Sequence, residues 1–233
     1  MKLAIMQPYL FPYIGYFQLL AAADKFVVFD DVNFIKKGWI NKNNILIGGQ
    51  VSAFTVPLQN ASQNRLIKDI EIAADGEKWR EKFLQSLRQN YKKAEFFGET
   101  YNLVESVLDC GETFISKMIL QSLRLFKEKL NLNVDIIESS EIYDNQELKG
   151  QFRILDICRR ENARHYINPI GGTELYDREL FEKNDVKLSF LQTTPFSYWQ
   201  FGSEFAPHLS MIDVLMFNGF AGTKNLLAHY VLS

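Results

Sequence analysis

An apolar run at residues 2–7 (KLAIMQ) leads into an aromatic loop holding Pro8 and Pro12, then into a stretch of helical spacing at residues 13–23. A second apolar run, residues 25–29, ends in Asp30-Asp31. Few folds accept this order. Short continuous apolar runs suit strands buried on both faces, as in parallel sheets covered by helices. Two such strands joined through a helix make a right-handed βαβ crossover. Open α/β sheets bind ligands at the carboxyl ends of their strands, and Gln7, the loop tyrosines, Asp30, Asp31, Lys36, Trp39 and Asn41 all fall at that edge.

The βα rhythm is then interrupted and resumed. Residues 44–47 and 51–56 are strand-like and flank Gly48-Gly49, a hairpin signal, and residues 67–72 predict another short strand. Residues 77–93, 97–108 and 112–130 carry apolar side chains three and four apart, the mark of amphipathic helices. This helical insertion or subdomain, 77–130, has the spacing of a lid, a dimer surface or a packed layer alike. Strands follow at 134–137, 165–167 and 186–191, with helices near 151–161 and 178–183 and an apolar helix at 209–217 before Gly219 and Gly222. The fold class is α/β, one domain over residues 1–233, with a parallel sheet of about five strands, a small β excursion and the helical insertion.

Composition removes several function classes. A net charge of -2, with Lys and Arg interleaved among Asp and Glu, gives no basic stripe along which a polyanion could track, so nucleic acid is not expected as a partner. The two cysteines, Cys110 and Cys158, form no CxxC pair and have no neighbouring His cluster, so neither zinc nor a disulfide framework is implied and no metal ligands are assigned. Gln7 and two prolines break the amino-terminal apolar stretch, which reads as a strand and not a signal peptide. No apolar run reaches the roughly 18 residues of a membrane span. A cytoplasmic protein is the expectation.

The candidate chemistry gathers in three places. Asp30 and Asp31 end the second strand, where a carboxylate can act as a base, hold a metal or merely shape a turn. Lys36 suits a phosphate and Trp39 a flat ring or sugar face, although Trp39 also suits a core. Lys149 and Arg153, four apart at a helix start, share a face on which an anion could rest beside the helix dipole. Asn168 and Gly171-Gly172 follow a strand and leave backbone N–H groups free for a ligand. Finally His208 stands just before the last helix, histidine being the side chain whose charge can switch near neutral pH, while Ser210 with Asp213 three later has capping-box form.

Two resemblances attach to these residues. Tyr13-Ile14-Gly15-Tyr16, between first strand and first helix, resembles the His-x-Gly-His motif of nucleotidylyltransferases with both histidines replaced, which implies a nucleotidylyltransferase/Rossmann-like core. A neutral phenol donates a hydrogen bond but brings no positive charge, so the resemblance implies the fold more strongly than the adenylyl-transfer mechanism. The blocks QPYLFPYIGYFQLL with FDDVNFIKKGWINKNNI, LDICRRENARHYINPIGG and FAPHLSMIDVLMFNG resemble, in order, the WbqC-like family of bacterial proteins, often encoded in O-antigen and other surface-polysaccharide clusters. That family often has Arg where this chain has Lys42, a change that keeps the charge and loses the bidentate fork.

The resemblance implies a transferase of surface-glycan biosynthesis acting on a nucleotide-linked sugar, with an activated acyl, aminoacyl or nucleotidyl donor; the sequence identifies no cofactor, and a nucleotide with Mg²⁺ is compatible with it. Asp30, Asp31 and His208 would be catalytic. Gln7, Tyr13, Gly15, Tyr16, Lys36, Trp39, Asn41, Lys149, Arg153, Asn168, Gly171 and Gly172 would bind substrate, and a homodimer is compatible. The alternative is a non-catalytic nucleotide or nucleotide-sugar binding protein on the same fold.

Overall fold

The computed structural model describes residues 1–202 and 204–233. A six-stranded sheet is built from β1 (Lys2–Met6), β2 (Lys25–Val28), β7 (Asp135–Ile137), β8 (His165–Pro169), β9 (Lys187–Thr193) and β10 (Tyr230–Leu232), in the lateral order β10-β9-β8-β1-β2-β7. The pairings from β9 to β7 are parallel, and β10 is an antiparallel edge. Taken in chain order the parallel strands run 3-2-1-4-5, the Rossmann-like arrangement. The chain reverses its lateral direction between β1 and β8, so the ligand crevice of such a sheet is expected outside their carboxyl ends.

Alternation along each strand divides the core. Leu3, Ile5, Val27, Tyr166, Leu188 and Phe190 face a cluster with α5 (Gly150–Arg160) and α6 (Arg178–Lys183). Ala4, Phe26, Val28 and Ile167 face the larger cluster with α1 (Ile14–Ala22), α4 (Ile115–Lys129) and α7 (Met211–Leu226). Both faces are covered, which is why the strands are written as unbroken apolar runs. The helical stretch enters the larger cluster through Leu87 of α2 (Gly76–Tyr91), Val104 of α3 (Phe97–Leu108) and Phe126 of α4, whose ring centroid lies 4.8 Å from that of Phe17. It is a packed layer. The excursion is the hairpin β3 (Lys42–Ile47) and β4 (Gln50–Thr55), turning at Gly48-Gly49.

Three local expectations are corrected. Residues 67–72 do not make one strand. A 3₁₀ turn at Ile67–Asp69 precedes the two-residue β6 (Glu71–Ile72), which pairs with β5 (Leu58–Gln59), because Ile67 N–H and Lys68 N–H are drawn to the carbonyls of Val32 and Asp30. The Gly171-Gly172 segment lies in a 3₁₀ helix, Ile170–Leu175. The last helix runs past Gly219 to Leu226, bent where Gly219 takes φ 59° and Phe96 N–H bonds the Met216 carbonyl.

Candidate functional site

The loop after β1 is shaped by its carbonyls. Phe11 adopts a left-handed backbone (φ 46°), and its carbonyl accepts 2.7 Å hydrogen bonds from Asn43 Nδ2 of β3 and from Ser210 Oγ. Leu10 N–H bonds the Ile40 carbonyl, Ser210 N–H the Asn44 carbonyl and Met211 N–H the Pro12 carbonyl. The β1 loop, the hairpin and the N-cap of α7 are thereby tied at one point. Around it Tyr9, Pro12, Tyr13, Trp39, Asn43, Asn44 and His208 enclose a pocket of about 210 Å³.

Tyr13 is the N-cap of α1, and its ring folds back over the first turn. A Cβ on Gly15 would stand 2.3 Å from Tyr13 Cε2, so Gly15 gives the ring its place. His208, exposed and held at φ 59°, stands edge-on to Tyr13 with ring centroids 6.5 Å apart. A left-handed histidine backbone is uncommon and persists where the surroundings impose it. Tyr13 and His208 also border a second pocket of about 340 Å³, lined by Thr193 and Thr194 at the end of β9 and by Phe196, Tyr198 and Phe205. Trp39 is half-exposed, with Lys42 Nζ 5.2 Å from its ring centroid. Burial raises the phenols of Tyr9 and Tyr13, so both remain hydrogen-bond donors across the physiological range.

Asp30 and Asp31, adjacent in sequence, lie just past the end of β2 at Val28 and point to opposite sides. Asp31 points to the α5 side. Its Oδ2 is 2.5 Å from Arg153 Nη2 and 3.0 Å from Gln146 Nε2, its Oδ1 accepts from Ser140 Oγ, and its side chain is fully buried. Asp31, Arg153 and Lys149 border a pocket of about 520 Å³. Asp30 faces α4, accepts 2.6 Å from Ser139 Oγ and borders a separate pocket of about 550 Å³ with Lys68 and Ser116. Burial raises its carboxyl above the usual range, and the Ser139 bond opposes that. The two carboxylates therefore do not converge on one ion, and no group of three or more His, Cys, Asp or Glu suited to a metal occurs among the described residues.

The remaining candidates have these positions. Gln7 presents its carbonyl to the hydroxyl of buried Tyr16, 3.0 Å away, so this pair closes the loop onto α1. Lys36 is exposed in the turn before Trp39. Asn41 Nδ2 bonds the Val56 carbonyl at 2.7 Å. Asn168 is buried between the Tyr166 hydroxyl and the Pro169 carbonyl, with Gly172 against its amide and exposed Gly171 beside it. The structure thus joins Tyr13, Trp39 and His208 in one pocket, joins Asp31, Lys149 and Arg153 in another, and leaves Asp30 in a third.

A family model described as the WbqC-like protein family matches residues 7–225. The chain belongs to the WbqC-like protein family. A similar chain is "Uncharacterized protein Rv1507c" of Mycobacterium tuberculosis (strain ATCC 25618 / H37Rv), 26% identical over 217 residues, which are 92% of each chain. No solved structure matches. No helix of this WbqC-like chain is long and apolar enough to cross a membrane, among the described residues.

Sequence reasoning missed the group that carries the pocket from beneath. Ser210 does cap α7, accepting from Ile212 N–H at 3.2 Å, but Asp213 does not complete a capping box. It is buried and accepts from the hydroxyls of Tyr91 and Tyr198 and from Gln200 Nε2. The one local signal was an acidic residue in the first turn of an otherwise apolar helix.

Proposed function

We propose that this protein is a transferase of bacterial surface-glycan biosynthesis acting on a nucleotide-linked sugar, with an activated acyl, aminoacyl or nucleotidyl donor. The observation that carries the proposal is the pocket of Tyr9, Tyr13, Trp39 and His208, an aromatic enclosure with a titratable imidazole at the carboxyl edge of a Rossmann-like sheet. Aromatic faces take a sugar or base by stacking. Lys42, held over Trp39, and exposed Lys36 supply charge for phosphates. His208, whose imidazole borders the pocket, is the group for moving a proton from an attacking amine or hydroxyl. Asp31 is engaged by Arg153 and is given no proton-transfer role. Any Mg²⁺ would arrive with the nucleotide's own phosphates, since the two aspartates are in separate pockets.

One observation favours the binding-only alternative. Where the nucleotidylyltransferase motif has two imidazoles, Tyr13 and Tyr16 are neutral and Tyr16 is buried. Titration calorimetry against a panel of nucleotides and nucleotide-sugars, followed by mass spectrometry after incubation with acyl and aminoacyl donors, separates the two. The transferase reading expects a product that disappears in His208→Ala while binding persists. Binding with no product from any donor supports the alternative, and no binding in the panel overturns both.

A further inference from the structure

The buried ion pair Asp31–Arg153 needs a reason. Pairs of this kind are rarely more stable than apolar residues of the same size, because both charges lose their hydration. What the pair does here is fix a guanidinium. Arg153 gives Nη2 to Asp31 at 2.5 Å and Nε to Asn145 Oδ1 at 2.9 Å, and its plane lies 4.8 Å over the ring of Phe29. The residue is 5% exposed, yet Nη1 has no acceptor among the described residues and Arg153 borders the 520 Å³ pocket.

The surroundings of that free edge are those of an oxyanion site. Asp31 balances Arg153, which leaves Lys149 as the uncompensated charge among the lining residues. Lys149 is held at the rim by its 2.7 Å bond to the Gln146 carbonyl. The first turn of α5, eleven residues long and with no side-chain cap, opens on the same space through Gly150 and Gln151. Unsatisfied N–H groups of such a turn favour negative charge. Beside the polar Asn33 and Gln146, the lining includes the apolar Val32, Leu66, Leu148 and Ile154, and Leu175 is 66% exposed although it is a large hydrophobe.

We propose that the pocket between α5 and the ends of β2 and β8 is a second ligand site, taking an organic oxyanion, a carboxylate or a phosphomonoester, that carries an apolar body. The charged end meets Arg153 Nη1, Lys149 and the α5 amides, and the apolar body covers Leu148 and Leu175. This site is distinct from the aromatic pocket and does not depend on the activity proposed for it.

The test is an amide-resolved NMR titration of the full chain with phenyl phosphate, hexanoate, inorganic phosphate and, as a neutral control, benzyl alcohol. Phenyl phosphate or hexanoate is expected to move the amides of Gly150, Gln151 and Arg153, and which of the two binds identifies the oxyanion. Lys149→Ala, at an exposed position, should weaken that binding by about tenfold. Leu175→Asp should abolish it without loss of fold. The idea is overturned if inorganic phosphate binds as tightly as phenyl phosphate, if benzyl alcohol does so, if the shifts centre on Trp39 and Lys42, or if neither organic anion binds at about 10 mM.

Discussion

The hydroxyl of Tyr91, on α2, donates a 2.7 Å hydrogen bond to Oδ2 of Asp213, on α7, and accepts one of the same length from Leu46 N–H of β3. Asp213 Oδ1 takes Tyr198 at 2.7 Å and Gln200 Nε2 at 2.8 Å, and Gln200 Oε1 accepts Ala206 N–H, two residues before His208. One buried carboxylate thereby connects the hairpin wall of the aromatic pocket to the segment that presents His208. Asp213→Asn keeps the shape but puts an NH2 group in place of one carboxylate oxygen, where it meets the donors on that side, either Tyr91 or Tyr198 with Gln200, and leaves buried polar atoms unpaired. The expected cost is about 2–4 kcal/mol in urea unfolding, with weaker ligand binding at the aromatic pocket. Unchanged stability and binding together would remove Asp213 from this role.

Gly15 separates packing from function. Alanine there would gain helix propensity, up to about 1 kcal/mol, but its Cβ would occupy the space of the Tyr13 ring. Gly15→Ala is therefore expected to stay folded, with a melting temperature near wild type, while ligand affinity at the aromatic pocket falls because Tyr13 is displaced. Full affinity in this variant would mean that the ring position does not matter.

The pH dependence of stability contains two opposed contributions. Burial raises the Asp213 carboxyl above its unfolded value, against the hydrogen bonds from Tyr91, Tyr198 and Gln200. Its contribution is complete below the unfolded carboxylate pKa of about 3.9 and is lost as pH rises through the folded value. Glu161 behaves in the opposite sense: burial pushes it up, but the bonds from Lys25 and Tyr143 outweigh that and hold it low. Its contribution is present above about 4.3 and is lost as pH falls through the folded value. Urea midpoints between about pH 3 and 8 should show Glu161→Gln flattening the acid limb and Asp213→Asn removing part of the decline on the higher side. The same pH slope in both variants as in wild type would contradict the assignment.

The sheet was legible because its parallel strands are buried on both faces, so apolar runs mark β1, β2, β8 and β9 directly. β10 was not, being three residues at a half-exposed antiparallel edge, with no run and no alternation long enough to read. Tyr13, Trp39 and His208 could each be picked out as polar or aromatic residues beside predicted ends of elements. Their meeting depends on Phe11 accepting bonds from residues 32 and 199 positions away, which no local pattern encodes. Asp30-Asp31 looked like a pair because it is one in sequence, and the different partners met past the end of β2, Ser139 for Asp30 and Arg153 for Asp31, are what separate it. Asp213 was hidden for a related reason: its spacing from Ser210 has a local explanation, and its actual partners lie on α2 and in the loop before α7.

The Asp31–Arg153 pair gives a prediction in which stability and binding part company. Asp31→Asn leaves a buried guanidinium without its counter-charge, and the expected loss is about 3–5 kcal/mol by denaturant unfolding. Asp31→Leu combined with Arg153→Met replaces both charges by apolar volume beside Phe29 and Ile154, and most of that loss should be recovered. If the ion pair is retained to hold a guanidinium edge toward the pocket, this double variant folds cooperatively but no longer moves the α5 amides when phenyl phosphate or hexanoate is added. A double variant as unstable as Asp31→Asn would show instead that the pair is required for the fold itself.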